Sequence, residues 1–218
     1  MINAKNRASR LKIPIRRVPV VIWVLAVASL LPELVLLGAD LGLWGTHRWR
    51  SLAYQYAGFW AGLLGNWHPN YPAQPYVMFA SYGFLHAGPV HFLVNAITLL
   101  SLGPPLAEAL GPWRFLALYT VSLVGGAIGF AALSPAAAPM IGASGALFGL
   151  AGAFLAHEYN DRTTRQRSQW PVVQALVWLC LLNLALWWAM HGQLAWQTHL
   201  GGFISGWVFL MLFGRQRV

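Results

Sequence analysis

Ile141-Gly142-Ala143-Ser144-Gly145-Ala146-Leu147-Phe148-Gly149 sets a serine between glycines at the head of an apolar run. A hydroxyl in hydrocarbon needs a hydrogen-bond partner or a chemical role. The surrounding composition says that hydrocarbon is the solvent. Of 218 residues 58% are hydrophobic and only 9% are charged, against about 25% charged in a soluble domain. Such a chain cannot cover itself with polar surface. In lipid every backbone polar group needs an internal partner, which favours helices. The expected fold is therefore an all-α membrane protein, and the length fits one domain over residues 1–218.

Six stretches are candidates to cross a hydrocarbon core of about 30 Å, for which roughly 20 apolar residues suffice. They are 18–37, one within 76–102 ended by Gly103-Pro104-Pro105, 113–133, 141–159, 172–190 and 196–213. Between the first two, residues 38–75 form a loop with Trp44, Trp49, Trp60, Trp67, Tyr54, Tyr56, Tyr71, Arg48 and Arg50. Aromatics of this density belong at headgroup level, and 54–64 reads as an interfacial segment too short to span. The net charge is +9, and six of the fourteen basic residues precede residue 18. That cluster is a membrane-orienting tail rather than a nucleic-acid-binding face. With Arg114, Arg162, Arg165, Arg167, Arg215 and Arg217 it falls on one side of a six-span arrangement. The positive-inside rule then puts both termini in the cytoplasm. A cleaved signal peptide ending near Ala26-Val27-Ala28 is the alternative for the first run, disfavoured because the apolar residues continue beyond it. Cys180, the one cysteine, lies in an apolar run and is expected to be buried packing.

Polar residues inside spans are functional hypotheses. His91 and Asn95 in the second span, Ser144 in the fourth and His199 in the sixth stand out. Ser144 precedes Asp161 by 17 residues and His199 precedes Arg215 by 16. At 1.5 Å per residue both sit roughly 25 Å above the cytoplasmic boundary, near the outer face. His91, 12 residues before Gly103, is expected to lie somewhat deeper, with Asn95 one turn below it on the same face. His199, Gly202 and Gly206 share one helical face, and Gly145, Gly149 and Gly152 line a stripe beside Ser144. Small-residue stripes permit close helix approach in lipid, which would bring Ser144 to His199.

A serine needs a base to become a nucleophile, and His199 is the base that depth and face permit. Glu33, Asp40, Glu108, Glu158 and Asp161 fall near span ends or in loops. The expectation is a Ser–His dyad, its imidazole oriented by packing, with Phe148 stacking on the ring. The Asn95 amide, the His91 ring N–H and the Ser144 backbone N–H are candidates to hold an oxyanion. No metal or other cofactor is expected. The only His-Glu pair, His157-Glu158, is followed at position 161 by aspartate, so H-E-x-x-H is missing. His86 and His91 are five apart without an obvious third ligand. No span carries the two carboxylates of an aspartyl mechanism.

Together these segments resemble the rhomboid family of intramembrane serine proteases. Gly142-Ala143-Ser144-Gly145 matches G-x-S-G. The run from Leu85 to Asn95 ends in H-x-x-x-N, and His199 with Gly202 and Gly206 matches H-x-x-G-x-x-x-G. The resemblance implies Ser144 as nucleophile, His199 as base, and His91 and Asn95 as oxyanion contributors. It also implies a bacterial six-span core in the inner membrane and substrates that are single-span membrane proteins. These would enter past the fifth span, where Trp178, Trp187 and Trp188 are a candidate gate, and be cut near the outer face. Two departures are visible. The family's Trp-Arg pair shortly before the second span is replaced by Val77-Met78, with Trp49-Arg50 much earlier, and phenylalanine stands at 148 where tyrosine is frequent. Alternatives are a non-catalytic relative that binds membrane helices for quality control, and a specialised form that processes C-terminal sorting tails of exported proteins.

Overall fold

The computed structural model describes residues 18–134 and 138–214. The basic tail before residue 18, Arg215, Arg217 and part of the 134–140 connection lie outside the described residues. Eight α-helices follow in order: α1 Val20–Asp40, α2 Trp49–Ala57, α3 Gln74–Ser81, α4 Pro89–Leu110, α5 Pro112–Leu133, α6 Ser144–Thr164, α7 Trp170–Ala189 and α8 Trp196–Phe213. Short 3₁₀ turns cover Ala61–Leu64 and Tyr82–Phe84. Among the described residues there is no strand, only an isolated antiparallel bridge between Phe59 and Met140.

By length and composition α1, α4, α5 and α7 are apolar enough to cross a membrane. The 21-residue α6 and 18-residue α8 are diluted by the glycines and polar groups that build the site. The 38–75 loop contains α2 and the Ala61–Leu64 turn, and helical geometry satisfies its backbone where it meets the bundle.

The second span differs from the expectation for 76–102. Tyr76 belongs to α3, which ends at Ser81, and the membrane helix starts afresh at Pro89. The break is made by Gly88, with φ +104, followed by proline at the first helical position, where its missing N–H costs nothing. At the other end Pro104 and Pro105 do not terminate α4, which runs to Leu110. An interior proline removes a backbone donor and crowds the carbonyl one turn earlier, yet α4 continues through both. Gly111, with φ +79, stops α4 and Pro112 starts α5. The consequence is a change of depth. His91 is the third residue of α4, 19 residues before Leu110, or about 28 Å. It is therefore level with Ser144, the first residue of α6, and with His199, the fourth of α8.

The centre is packed by α5, α6 and α8. Phe59, Met78, Tyr82, Phe115, Leu118 and Leu150 are fully buried. A methyl group on Gly202 would run into the Gly145 carbonyl, and one on Gly206 into the Gly149 carbonyl. On the other flank Gly201 meets the Gly125 carbonyl of α5. The backbone of α8 is thus in contact on two sides. By contrast, α7 buries only Val172, and Val177, Trp178, Leu181, Leu182 and Trp188 are exposed. In a membrane protein such a face is solvated by lipid.

The 38–75 loop is tied down electrostatically. Arg50 donates to both carboxylate oxygens of Glu33 at 3.0 Å, to Asp40 Oδ2 at 2.6 Å and to the His86 carbonyl at 2.8 Å. Tyr54 donates to the same carbonyl at 2.8 Å. Burial pushes the Tyr54 hydroxyl up, opposed by the hydrogen bond to Arg50. Of the early Trp49-Arg50 pair, Arg50 therefore anchors α2 to α1 and, with Tyr54, to the loop that leads into α4.

Candidate active site

Ser144 owes its position to the three residues before it. The Phe59–Met140 bridge closes with two N–H···O bonds of 2.9 Å, and the Gly142 N–H donates to the Tyr82 carbonyl at 2.9 Å. Gly142 has φ +116, a region costly for any residue with a Cβ. A Cβ there would also stand 2.8 Å from His91 Cε1, 2.9 Å from Nε2 and 3.7 Å from Asn95 Nδ2. Glycine is needed twice, for the turn and for the approach of these two side chains. Helix α6 then begins at Ser144, so the Ser144 N–H lies in the first turn, where no intrahelical acceptor exists.

The glycine contacts between α6 and α8 bring the serine and the histidine together. His199 Nε2 lies 2.9 Å from Ser144 Oγ. The Phe148 ring is parallel to the imidazole, with centroids 4.1 Å apart and planes 6° apart. Stacking from one side fixes the ring plane without a polar group. His199 is buried and Ser144 half-buried.

Two donors face the serine from α4. The Ala87 N–H donates to His91 Nδ1 at 3.2 Å. In a neutral imidazole the proton is then on Nε2, the atom that approaches Gly142. Asn95 is buried, and its Nδ2 has no hydrogen-bond partner among the described residues. A buried amide donor calls for an acceptor, and none of the described residues supplies one. The His91 ring and the Asn95 amide thus converge on Gly142, two residues before Ser144.

Gly142, Gly145, Phe148, Gly202 and Gly206 thus all touch the assembly that joins Ser144 to His199. His86 contributes its backbone carbonyl to Arg50 and Tyr54, while its ring packs edge-on against His91 at 5.1 Å and Phe92 at 5.5 Å. Burial, then the neighbouring His91, pushes the His86 imidazole down to about 4, so it stays neutral beside the site.

One residue at the site was not anticipated. Asn183 of α7 places Oδ1 2.6 Å from His199 Nδ1. The available signal was an asparagine in an otherwise apolar run, the pattern that singled out Asn95. Beside it opens a cavity of about 610 Å³ between α6, α7 and α8, lined by Phe148, Leu179, Cys180, Trp187, His199 and Phe203 among others. Its walls are overwhelmingly apolar, and Asn183 and His199 supply the polar end. Cys180 is exposed and not buried packing, because α7 turns this side toward the cavity without covering it. Of the three gate candidates Trp187 lines the cavity, whereas Trp178 and Trp188 do not and are 69% and 78% exposed.

Comparison with known proteins shows the family. The Rhomboid domain family matches residues 73–216, from α3 to beyond α8. RHOMBOID-like protein 1 of Arabidopsis thaliana is 35% identical over 130 residues, 60% of this chain and 32% of that protein. Rhomboid protease GluP of Bacillus subtilis (strain 168) is 31% identical over 122 residues, 56% of this chain and 23% of that protein. Rhomboid-related protein 3 of Homo sapiens is 26% identical over 151 residues, 64% and 37% of the two chains. The matches thus span less than half the length of these three relatives.

Proposed function

Because the chain belongs to the rhomboid family, we propose that it is an intramembrane serine endopeptidase acting on transmembrane segments of other proteins. The observation that carries this reading is the 2.9 Å contact between Ser144 Oγ and His199 Nε2 beside the unpartnered amide of Asn95. In this account α1, α4, α5, α6, α7 and α8 are the six spans of one domain over residues 1–218, in a bacterial inner membrane. Both termini are cytoplasmic, in keeping with Arg114, Arg162, Arg165 and Arg167 at the ends opposite the site. Ser144, His199 and His91 then lie near the outer face, where water can reach them.

The chemistry uses the chain's own groups and water. His199 Nε2 takes the Ser144 proton as Oγ attacks the carbonyl carbon of the scissile peptide. The carbonyl oxygen becomes an oxyanion held by the Asn95 amide, the His91 Nε2–H and the Ser144 N–H. Collapse breaks the C–N bond, and Nε2 returns its proton to the leaving amine. A water, deprotonated by the same nitrogen, then cleaves the acyl ester and restores the serine. The cavity between α6, α7 and α8 is apolar and ends on His199, which suits a lipid-soluble segment entering past α7. Substrates with helix-breaking or small residues near the outer face fit best, since an unwound strand exposes its carbonyl to Oγ.

A helix-binding protein without catalysis would use the same cavity but not the Ser144–His199 pair. The test is cleavage of a model single-span substrate in liposomes by the wild type, Ser144→Ala and His199→Ala. The expected result is product with the wild type alone. Binding without cleavage by all three proteins would favour the helix-binding role, and cleavage persisting in Ser144→Ala would rule out this mechanism. Selective cleavage of C-terminal sorting tails over other single-span substrates would identify the specialised form.

A further inference from the structure

Every histidine that serves as a base has a second nitrogen, and its partner decides which tautomer is present. For His199 that partner is on α7. We propose that Asn183 is a positioning residue of this site: its side-chain carbonyl accepts the proton of His199 Nδ1 and holds the ring in the tautomer whose Nε2 lone pair faces Ser144. The inference rests on the protease reading for its catalytic consequence, but not for the tautomer itself.

The orientation of the Asn183 amide follows from its own helix. Nδ2 donates to the Leu179 carbonyl at 3.1 Å. Rotating the amide by half a turn would set Oδ1 against that carbonyl, oxygen against oxygen, and an N–H against His199. The arrangement with Nδ2 on Leu179 leaves Oδ1 as the atom 2.6 Å from Nδ1. A carbonyl oxygen only accepts, so Nδ1 is the donor. A neutral ring with the proton on Nδ1 has none on Nε2, which lies 2.9 Å from Ser144 Oγ. The relay runs in one direction, from Ser144 O–H to Nε2 and from Nδ1–H to Oδ1. A hydroxyl facing the opposite tautomer would meet an N–H and could not give up its proton.

An amide also suits the solvent. When Oγ attacks, the ring becomes an imidazolium, and an oriented carbonyl dipole stabilises its Nδ1–H without placing a permanent charge in the apolar cavity. A carboxylate there would carry a desolvation cost in the resting state. Phe148 fixes the plane of the ring by stacking on its face, but stacking cannot distinguish Nδ1 from Nε2. The amide makes that distinction, and it comes from a different helix than the serine or the histidine.

The test is ¹⁵N NMR of the full chain labelled at histidine in micelles, with the His199 signals assigned by their loss in His199→Gln. Alongside it kcat and KM are measured for wild type, Asn183→Leu and Asn183→Asp. The wild type should show His199 with the proton on Nδ1. Asn183→Leu should shift the population toward the Nε2-protonated form and lower kcat about 10–100-fold, as loss of an orienting partner does, with KM changed less than about twofold. Asn183→Asp keeps the acceptor but loses the donor to Leu179, so it should hold the proton on Nδ1 while recovering only part of the kcat lost in Asn183→Leu. An Nε2-protonated ring in the wild type would overturn the proposal, even if no variant could be purified. So would an unchanged tautomer and kcat in Asn183→Leu. A wild type that cleaves nothing would defeat the protease reading alone, because the ring's proton is read without turnover.

Discussion

Helices α7 and α8 are both apolar and of similar length, 20 and 18 residues, yet they are held in opposite ways. In α8, Gly201, Gly202 and Gly206 bring its backbone against carbonyls of α5 and α6. In α7 there is no glycine, and Val172 is the one buried residue. Lipid removes most of the hydrophobic drive for one apolar helix to leave it for another, so packing follows from how closely backbones can approach. Hydropathy ranks α7 as the better membrane helix, and for the same reason it is the less attached one. His199 is carried by the locked helix, and Asn183, against its Nδ1, by the loose one.

The contrast breaks most clearly at Gly206. Gly206→Leu sets four carbons against the Gly149 carbonyl, which belongs to a helix backbone and cannot move aside. The expected loss is about 4 kcal/mol or more, enough to abolish folded protein in detergent, as followed by thermal unfolding. A melting temperature near wild type would mean that α6 and α8 have room between them.

Electrostatic attachment comes next. Arg50→Ala leaves Glu33 buried in α1 without its partner, a situation that costs about 3 kcal/mol. The α1–α2 region should then become sensitive to proteolysis in the 38–75 loop before the α5–α6–α8 core opens. Retained stability and an unchanged cleavage pattern would show that aromatic packing alone holds the loop.

The smallest effect belongs to α7. Leu181→Ala, at an exposed position away from the cavity lining, should change stability by no more than about 0.5 kcal/mol. A loss of 2 kcal/mol or more, typical of a buried leucine, would indicate that α7 packs against the bundle more closely than its contacts show.

Much of this was legible in the sequence, for identifiable reasons. The glycine spacing that admits α8 and the polar residues that meet at the site are periodic on helices, and periodicity survives translation into structure. Span ends were legible to within a few residues where charge or turn residues mark them, as at Trp196 and Phe213. The prolines of α4 misled, because Pro104-Pro105 reads as a stop whereas the helix runs through both to Leu110. Gly88-Pro89, the true start, is a glycine–proline helix signal of the same kind as Gly111-Pro112. That misplacement alone made His91 seem deeper than Ser144. Asn183 was missed because nothing periodic points to it: its meaning lies in the meeting of α7 with α8, 16 residues apart in the chain. The anchoring by Arg50 was hidden likewise, since Glu33, Asp40 and the His86 carbonyl come from separate segments.

Everything proposed for the site depends on Ser144 being a nucleophile made reactive by His199. Covalent labelling of the purified chain by a serine-directed fluorophosphonate tests it most directly, because it needs no knowledge of the natural substrate. The expected result is labelling of the wild type at Ser144, none in Ser144→Ala, and a loss of at least about 100-fold in rate in His199→Ala. Labelling that persists in Ser144→Ala, or that proceeds at the wild-type rate without His199, would contradict it.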